Sequence, residues 1–510
     1  MAEVRLAELV AALSLGVDLG FGQPMEHVLR ECLIALRLAD RLGLDDAERS
    51  TVYYTALLVN VGCHADAHEQ AKWFGDDINL RSGKYDHDLR SFRAAAAAMS
   101  LIGSGNPPLH RFRVGLEFAI SGHRDLDGMI EIHATLARGL AERLGLPRAA
   151  QEAVGSSYEQ WDGKGWPGGL TGDRIPVAAR LAQFSEFVEV AHRLGGAGAA
   201  IALADRGAGS QFDPSLAEAL RSDPEGILGG LDSAHTWSAV IDAEPTLRFT
   251  LSGEAFDQAL RAIADFVDLK SPYTLGHARA AAKLAAATGA QLGLPEDEVT
   301  LLHRAGLVHD LGRLGVSNAI WDKPGPLGAG EWERVRMHPY LTERMLHQSE
   351  ALAPLAEVAV QHRERLDGSG YPKGLSGGAI GRPARILGAV DAYRSMREPR
   401  PHRPALSADE AAAELRSDVR AGKLDAEAVS AVLAAAGHAV GRRREWPAGL
   451  TTREIDVLRL VARGLSSKQI ATQLVITPKT ARNHIEHIYT KIDASSRVAA
   501  SLFATEHGLL

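Results

Sequence analysis

Histidine and aspartate side chains in the second half of the sequence have the types and order of a metal site. His309 and Asp310 are adjacent, and adjacent residues on a helix point about 100° apart. The carboxylate can therefore bridge two ions while imidazoles from other helices complete each ion. One such histidine is ordinarily a core or surface residue, but a whole set predicts a site. The remaining members of the set are His338, His362 and Asp391.

A glycine-containing loop, Asp367-Gly368-Ser369-Gly370-Tyr371-Pro372, follows His362. Together with these residues, this loop resembles the HD-GYP phosphohydrolases, and the resemblance adds a sixth ligand, His277, at the position of the family's first ligand. The resemblance implies a helical bundle that holds two or three metal ions and hydrolyses cyclic di-GMP. Two residues depart from the family pattern: Arg313 replaces a lysine and Arg363 replaces a histidine. Arginine does not ligate metals, so we expect two ions rather than three.

The resemblance also implies a role for each residue of the site. His277, His309, Asp310 and Asp391 would hold one ion, Asp310 would bridge, and His338 with His362 would hold the second. Arg313 and Lys323 would neutralise phosphate charge, and Gly370, Tyr371 and Pro372 would shape the pocket mouth. Iron or manganese is expected, and zinc also accepts this mixture of ligands.

The first half of the chain repeats the second. Leu42–Glu48 echoes Leu292–Glu298 at an offset of 250, and Trp161–Pro167 echoes Leu366–Pro372 at an offset of 205. Internal repeats of this kind indicate a tandem duplication. The difference between the offsets predicts about 45 extra residues in the first copy, around Ala65 to Leu116.

The first copy lacks most of the ligand set. Val59 and Asn60 stand at the positions of the His-Asp pair, Ser157 replaces His362, and Glu186 replaces Asp391. With only His27, His133 and Glu186 retained, it has too few donors for a bridged pair of ions. His64 and His68 allow two interpretations: a solvated polar face, or a ligand or metal pocket rebuilt in this copy.

The last sixty residues have the pattern of a DNA-binding unit. Thr451 with Glu454, Ser466 with Gln469, and Thr477 before Pro478 mark helix starts. The helix after Pro478 is apolar on one face, through Ala481, Ile485, Ile488 and Ile492, and polar on the other. This block resembles the LuxR type of helix-turn-helix domain. We expect DNA contacts from Lys479, Thr480, Arg482, Asn483 and Glu486.

Composition and charge fit this division. Hydrophobic content of 45% with 5% aromatics favours packed helices. Residues 449–510 carry eight Lys and Arg and five acidic side chains, a net charge of +3, which leaves −11 on the rest of the chain. The basic part should dock on DNA. Two cysteines, Cys32 and Cys63, indicate buried thiols rather than disulfides. The absence of a long apolar run or a basic leader predicts a cytoplasmic protein without membrane contact.

The sequence thus predicts an all-α protein: two HD-domain helical bundles in tandem plus a C-terminal four-helix helix-turn-helix domain. The expected boundaries are 1–235 for a degenerate first lobe, 244–438 for a second lobe with the metal residues, 439–448 for a linker and 449–510 for the DNA-binding domain. The leading hypothesis is a homodimeric transcription regulator whose lobes sense a small molecule, such as a nucleotide. The alternative is a metal-dependent cyclic di-GMP phosphodiesterase in the second lobe.

Overall fold

The computed structural model describes residues 3–85, 100–103, 108–118, 129–231, 235–245, 248–438, 447–474, 476–507 and 509. The predicted all-α fold is confirmed. Among the described residues, the strands are limited to one short antiparallel pair, β1 (Val4–Arg5) with β2 (Thr250–Leu251). The chain divides into two compact units, Met1–Gly437 and His438–Leu510.

The first lobe contains the helices α1 to α11, and α12 leads into the second lobe. Their bounds are Leu6–Gly20, His27–Arg41, Asp46–Leu58, Ala67–Phe74, Asp77–Ser82, Pro108–Glu117, Met129–Arg143, Arg148–Gly155, Val177–Gly207, Pro214–Ser222, Pro224–Leu228 and Thr236–Asp242.

The second lobe contains the helices α13 to α21. Their bounds are Gly253–Asp268, His277–Gln291, Glu296–Val308, Asn318–Trp321, Ala329–Leu346, Ala353–Ala359, Arg382–Arg397, Ala408–Arg420 and Ala426–Ala435. Helix α13 buries the predicted apolar stripe, which consists of Phe256, Leu260, Ile263, Phe266 and Val267.

One hydrophobic core spans both lobes, and a further buried cluster, from Ala281 to Leu433, lies within the second lobe alone. A single buried cluster runs from Val4 in β1 to Ala356 in α18. Helix α1 packs against the short 3-10 turn Leu311–Gly315 and against α17, so the first helix of the chain supports the segment that follows His309 and Asp310. In return, α13 of the second lobe packs on α7 of the first. Separating the lobes would therefore expose core surface on both sides.

In the described part of the predicted insertion, α4 packs on α16 of the second lobe and α5 on α1 of the first. Helix α5 places the buried carboxylate of Asp77 against the second lobe. This carboxylate accepts hydrogen bonds from Ser317 Oγ (2.6 Å) and the main-chain NH of Asn318 (2.7 Å), and lies 3.4 Å from Lys270 Nζ. Burial has the largest effect on Lys270 and lowers the pKa of its ammonium group to about 8. The carboxylate of Asp77 acts in the opposite direction and limits this decrease. The insertion thus joins the lobes through a buried polar network.

Helix α9 is, in the part of the chain that the structure describes, the one helix that is long and apolar enough to cross a membrane. Its helical geometry breaks at Gly195 and Gly196. Its first half carries two buried, ion-paired carboxylates, Glu186 and Glu189. One helix of this length and apolarity is weak evidence of a membrane span, because buried helices can reach both.

The C-terminal unit contains the helices α22 to α25, with bounds Thr452–Ala462, Ser467–Leu474, Pro478–Lys491 and Arg497–Glu506. Two of the starts follow the predicted capping boxes: Thr451 Oγ1 accepts from the NH of Glu454, and Ser466 Oγ accepts from the NH of Gln469. Its separate core includes Ile455, Leu458, Ile470 and Ile488.

Candidate metal centre

The six predicted ligand residues lie together at the centre of the second lobe. They come from five elements: His277 begins α14, His309 and Asp310 follow α15, His338 lies within α17, His362 follows α18, and Asp391 lies within α19. All six are at most 3% exposed. We call this set the metal-ligand cluster.

Asp310 lies in the middle of the cluster, and its two carboxylate oxygens face different imidazoles. Oδ2 lies 3.9 Å from His277 Nε2 and 3.7 Å from His309 Nε2. Oδ1 lies 3.5 Å from His338 Nε2 and 3.8 Å from His362 Nε2. These separations are too long for hydrogen bonds but suit donors that surround a shared ion.

Asp391 completes the first side of the cluster. Its Oδ1 lies 3.4 Å from His277 Nε2 and 3.9 Å from His309 Nε2. The donor atoms of His277, His309 and Asp391 are close enough to one another to hold one metal ion, as are those of His309, Asp310 and His362. Imidazoles therefore lie on both sides of Asp310, and Asp391 adds a second carboxylate on the side of His277 and His309.

The imidazoles are oriented by their second ring nitrogen. Three Nδ1 atoms donate to main-chain carbonyls three residues earlier: His309 to Gly306 (2.9 Å), His338 to Val335 (2.5 Å) and His362 to Ala359 (2.6 Å). Because a carbonyl only accepts, Nδ1 carries the hydrogen and Nε2 keeps a lone pair directed inward. Histidines that bind metals are commonly fixed in this way.

The residues present fit divalent metal ions. His277 Nε2, His309 Nε2 and Asp310 Oδ1 are buried and have no hydrogen-bond partner in the described structure. Buried polar atoms without partners are costly. Imidazole nitrogens with carboxylate oxygens are a donor set that iron, manganese and zinc all accept. Ion binding would satisfy these three atoms together.

Burial keeps three of the four imidazoles of the cluster uncharged. It lowers the pKa of His338 to about 3 and lowers the pKa of His309 and of His362, so these rings are neutral at pH 7 and able to ligate. Burial opposes the ionisation of Asp310, but the His309 imidazole and the Arg313 guanidinium hold the pKa of that carboxyl well below its usual range. The carboxylate is thus charged without a metal.

Glu398 is a functional residue that the sequence prediction missed. Its Oε2 lies 2.8 Å from His277 Nδ1, and Arg394 and Arg400 hold the same carboxylate. Burial opposes the charge of His277, but the nearby carboxylate of Asp391 and the hydrogen bond to Glu398 raise its pKa to about 9. An acidic residue seven positions after Asp391 was the available signal, since two helical turns bring it back to the same face.

The two arginines that depart from the family pattern both contact ligand carboxylates. Arg313 NH1 lies 3.2 Å from Asp310 Oδ2, and its guanidinium stacks on Trp321 at 3.9 Å from the ring centre. Arg363 NH1 lies 3.1 Å from Asp391 Oδ2. Each arginine therefore offsets carboxylate charge at the edge of the cluster, where it supplies no metal ligand.

A cavity of about 620 Å³ adjoins the cluster at Arg313 and Arg363. Its lining contains several cations and no carboxylate in the described residues, together with aromatic rings. We call it the cationic cavity; its charged and aromatic lining residues are Arg313, Trp321, Lys323, Trp332, Arg363, Tyr371, Arg400, His402 and Arg403. Lys323 lines this cavity, and its Nζ is paired with Glu331 at 2.7 Å.

The Gly-Tyr-Pro loop borders both the cavity and the cluster. Tyr371 lines the cavity, and its ring lies 6.1 Å from that of His338. Gly370 is required there, because a Cβ atom would lie 2.3 Å from the main-chain nitrogen of Arg365. Glu364 fixes the loop by accepting from the NH groups of Lys373 (2.7 Å) and Leu375 (2.9 Å).

Comparison with known proteins agrees with this arrangement. The HD domain family matches residues 123–216 and 261–428, and the family described as bacterial regulatory proteins, luxR family, matches residues 448–504. A relative from Vibrio cholerae, 3'3'-cGAMP-specific phosphodiesterase 3, is 30% identical over 420 residues, which cover 80% of this chain and 90% of the relative. The chain belongs to the HD domain family. Its last domain is of the LuxR type.

Further similarities cover different shares of the chain. A crystal structure of the cyclic GMP-AMP specific phosphodiesterase V-cGAP3 of Vibrio cholerae has a TM-score of 0.59 and 27% identity, and the match covers 85% of this chain and 98% of that one. The cyclic di-GMP phosphodiesterase response regulator RpfG of Xanthomonas campestris is 36% identical over 145 residues, which are 28% of this chain and 38% of the relative.

The corresponding centre of the first lobe has a lysine. Lys84, from the insertion, places Nζ 2.7 Å from Glu186 Oε1 and 3.1 Å from Asn60 Oδ1. Asn60 and Tyr85 donate to the same carboxylate oxygen, at 2.6 and 2.8 Å. We call these four residues the Lys84 cluster. No spacing in the sequence pointed to Lys84, because the insertion has no counterpart in the other copy.

The retained histidines of the first lobe pair with carboxylates instead of converging. His27 Nδ1 contacts Glu189, and His133 Nε2 contacts Asp66. Glu189 is itself ion-paired with Arg30 at 2.8 Å. The HD-domain centre of this lobe is therefore closed by internal ion pairs.

Neither interpretation of His64 and His68 describes them. His64 is buried, with Nε2 3.0 Å from the carbonyl oxygen of Phe266, and His68 Nδ1 lies 2.9 Å from Asp322 Oδ2. His64 lies in the 3-10 helix Val61–Asp66 and His68 in α4, so they do not share one helix. Both contact residues of the second lobe.

The predicted DNA-contacting residues lie on the exposed face of α24. Lys479, Thr480, Arg482, Asn483 and Glu486 are all exposed. On the other face of α24, Ala481 and Ile488 are buried, and Ile485 and Ile492 pack against the same core. The amphipathic pattern read from the sequence thus separates a packed face from a face open to solvent.

Proposed function

We propose that the second lobe hydrolyses a phosphodiester bond of a cyclic dinucleotide with the help of divalent metal ions. The observation that carries this proposal is the convergence of four imidazole Nε2 atoms on the two oxygens of Asp310, beside a cavity lined by cations. The relatives named as cyclic dinucleotide phosphodiesterases support it.

Each side of Asp310 is assigned one ion. His277, His309 and Asp391 would hold the first ion, His338 with His362 would hold the second, and Asp310 would contribute to both. Iron or manganese is expected. Divalent ions, when bound, activate water as a nucleophile and offset charge on a phosphate. At pH 7 the chain supplies three neutral imidazoles, those of His309, His338 and His362, and a charged bridge, so of these imidazoles only that of His277, whose pKa is about 9, would have to lose a proton before it binds.

The cationic cavity is assigned to the substrate. Arg313 and Arg400 have guanidinium groups suited to phosphate oxygens, and Trp332 and Tyr371 offer ring faces on which a base can stack. A volume of about 620 Å³ lies within the range of ligand sites. Lys323 would have to leave Glu331 to contact phosphate, so we assign it a weaker role than Arg313.

Hydrolysis tests the proposal directly. Protein loaded with Mn²⁺ or Fe²⁺ should convert 3'3'-cGAMP or cyclic di-GMP to linear products, and Asp310→Ala should lower the rate by about 10³-fold or more, since the bridge is lost. The first-lobe variant Asn60→Ala is the matched control and should keep its rate. Equal product from wild type and Asp310→Ala would contradict the proposal. Comparison of the two nucleotides identifies the preferred substrate.

We further propose that the C-terminal unit binds DNA as a homodimer and makes the chain a transcription regulator. Exposed Arg482 and Asn483 can read guanine and adenine in the major groove, and Lys479 can contact phosphate. Arg482→Ala should cost about 1 to 3 kcal/mol at a specific site, whereas Lys479→Ala should weaken binding to all sequences alike. Unchanged operator affinity of Arg482→Ala would contradict this docking.

Regulation requires that a ligand favour one arrangement of the chain over another. Operator affinity measured with and without cyclic dinucleotide, in the hydrolysis-deficient Asp310→Ala variant, tests the coupling without loss of the nucleotide. If the operator affinity is the same with and without the nucleotide, the enzymatic role and the DNA-binding role are independent of each other, and nucleotide-dependent regulation is excluded.

A further inference from the structure

Residues 317–323 of the second lobe contact the insertion through some side chains and line the cationic cavity with others. They contain α16, which ends at Trp321. Trp321 and Lys323 line the cavity. The residue between them, Asp322, instead accepts a hydrogen bond at Oδ2 from His68 Nδ1 of the insertion (2.9 Å). We call residues 317–323 the α16 segment; its neighbouring side chains link the cavity to the first lobe.

The insertion binds the α16 segment at both ends of the helix. At the start of the helix, Asp77 accepts from the main-chain NH of Asn318 at 2.7 Å. At its end, the carboxylate of Asp322 accepts from His68 at 2.9 Å and from Asn318 Nδ2 at 2.7 Å. The other oxygen of this carboxylate accepts from Ser271 Oγ at 2.7 Å. Asp77 and His68, which bind opposite ends of α16, both belong to the first lobe.

On the cavity side, Trp321 supports the guanidinium of Arg313. The guanidinium carbon lies 3.9 Å from the centre of the indole ring. The same ring packs against that of His338, with 5.3 Å between the ring centres. Because a planar guanidinium stacks on an aromatic face, the position of Trp321 determines where Arg313 can direct its donors. A shift of Trp321 would therefore move a cation that we assign to the substrate phosphate.

Helix α16 is too short to hold Trp321 in place by itself. It has four residues, and isolated helices of about one turn are unstable in water. The position of the helix therefore depends on the groups that bind its ends. We propose that the first lobe positions the active site of the second: His68 fixes Asp322, so that Trp321 keeps Arg313 stacked and directed at the substrate. This positioning role rests on the proposed hydrolysis, in which Arg313 binds phosphate.

The two helices that meet here occupy the same place in the two copies of the repeat. Helix α4 follows the 3-10 helix Val61–Asp66, just as α16 follows the 3-10 helix Leu311–Gly315. The two helices pack on each other. The second copy holds the metal-ligand cluster, and the first copy contributes His68 to the segment beside it. A separate second lobe would therefore lack one of the donors that fix α16.

His68 can be replaced without opening the core. Its side chain is 31% exposed, whereas that of Asp322 is 7% exposed. The hydrogen bond to Asp322 raises the pKa of the imidazole above its ordinary value, although partial burial of the ring opposes this. Hydrogen bonds to a carboxylate are stronger than those between neutral groups. Removal of the imidazole therefore tests one strong contact between the lobes and leaves the hydrophobic core that spans them intact.

Hydrogen exchange of the full chain tests the positioning without reference to activity. In His68→Ala, the main-chain amides of residues 318–323 should exchange at least about tenfold faster than in wild type, because a hydrogen bond to a carboxylate is lost. His68→Asn, whose side-chain amide can donate near the position of Nδ1, should recover most of the protection. Exchange in His68→Ala that is as slow as in wild type would overturn the proposal.

Kinetics separates positioning from a merely structural role. With Mn²⁺ and 3'3'-cGAMP, His68→Ala should raise KM by about fivefold or more, because a displaced Arg313 binds phosphate less well, and His68→Asn should restore it. Lys72→Ala, which removes an exposed ion pair of α4 with Glu117, is the matched control and should keep the wild-type KM and exchange.

Two further outcomes separate the possible failures. Faster exchange in His68→Ala with an unchanged KM would confine His68 to a structural role and overturn the proposal, as would equal effects of His68→Ala and Lys72→Ala. A wild-type protein without phosphodiesterase activity would instead refute the proposed hydrolysis. The dissociation constant of 3'3'-cGAMP, measured by calorimetry, would then take the place of KM in the same comparison.

Discussion

The two lobes surround their buried carboxylates with different partners. At the centre of the second lobe, the buried carboxylates Asp310 and Asp391 are surrounded by imidazoles whose inward nitrogens include atoms without hydrogen-bond partners. At the corresponding centre of the first lobe, one carboxylate, Glu186, accepts from Lys84, Asn60 and Tyr85. One centre is open to an ion and the other holds an ammonium group of its own chain.

The difference shows what a metal contributes to this fold. A buried carboxylate needs a counter-charge and hydrogen-bond donors, and the covalently attached Lys84 supplies both permanently. A bound ion supplies the same charge but can exchange and can activate water. We infer that the duplication left one lobe as a fixed support and the other as the reactive site. The following predictions test that contrast, from the largest effect to the smallest.

Removal of Lys84 should destabilise the first lobe strongly. Lys84→Met leaves the carboxylate of Glu186 buried without a cation, which costs about 3 to 5 kcal/mol for a buried pair. The double variant with Glu186→Gln should recover much of the loss, because neither charge then remains. Thermal unfolding measured by calorimetry, without metal, checks both. A single variant as stable as the double one would mean that Lys84 does not act as the internal cation.

Metal should stabilise the second lobe only. At a free Mn²⁺ concentration of 100 times the dissociation constant, binding adds about 2.7 kcal/mol to the free energy of unfolding, and a chelator should reverse the gain. Asp310→Asn should lose this response, since the bridge between the two ion positions is weakened.

The first-lobe variant Asn60→Asp is the matched control. It restores the carboxylate but should gain no metal response of its own, since Val59 and Ser157 supply no imidazole and Lys84 fills the centre. A second increment of stabilisation in Asn60→Asp would show that the first lobe still has a metal site, and would contradict the contrast drawn here.

The contact between the lobes should be sensitive to acid through His64. Burial lowers the pKa of His64 to about 3 in the folded chain, against about 6.5 in an unfolded chain. Between these values the unfolded state binds the extra proton, so stability falls as the pH falls from about 6.5 towards 3, by at most about 1.4 kcal/mol per pH unit. His64→Gln should make this dependence shallower in unfolding measured from pH 7 to pH 5. Parallel curves for the two proteins would exclude His64 as the sensitive group.

The residues that could be predicted are those whose partners lie in a repeated pattern. The capping boxes of the C-terminal unit and the apolar stripe of α13 follow from residue type and spacing, and the six metal-ligand residues follow from the resemblance to the HD-GYP pattern. Lys84 and Glu398 did not, because their partners lie 102 and 121 positions away in the chain. Long-range pairs of this kind depend on how helices pack.

The sequence by itself determined the all-α class, the duplication, the choice of ligand residues and the amphipathic recognition helix, because helix periodicity and ligand chemistry are local properties of side chains. The tertiary structure decided that the insertion places Lys84 in one centre and Asp77 against the other lobe, and that His64 and His68 serve the contact between lobes. It also decided that Arg313 and Arg363 pair with ligand carboxylates. These outcomes depend on which surfaces meet in the shared core, which periodicity along the chain does not specify.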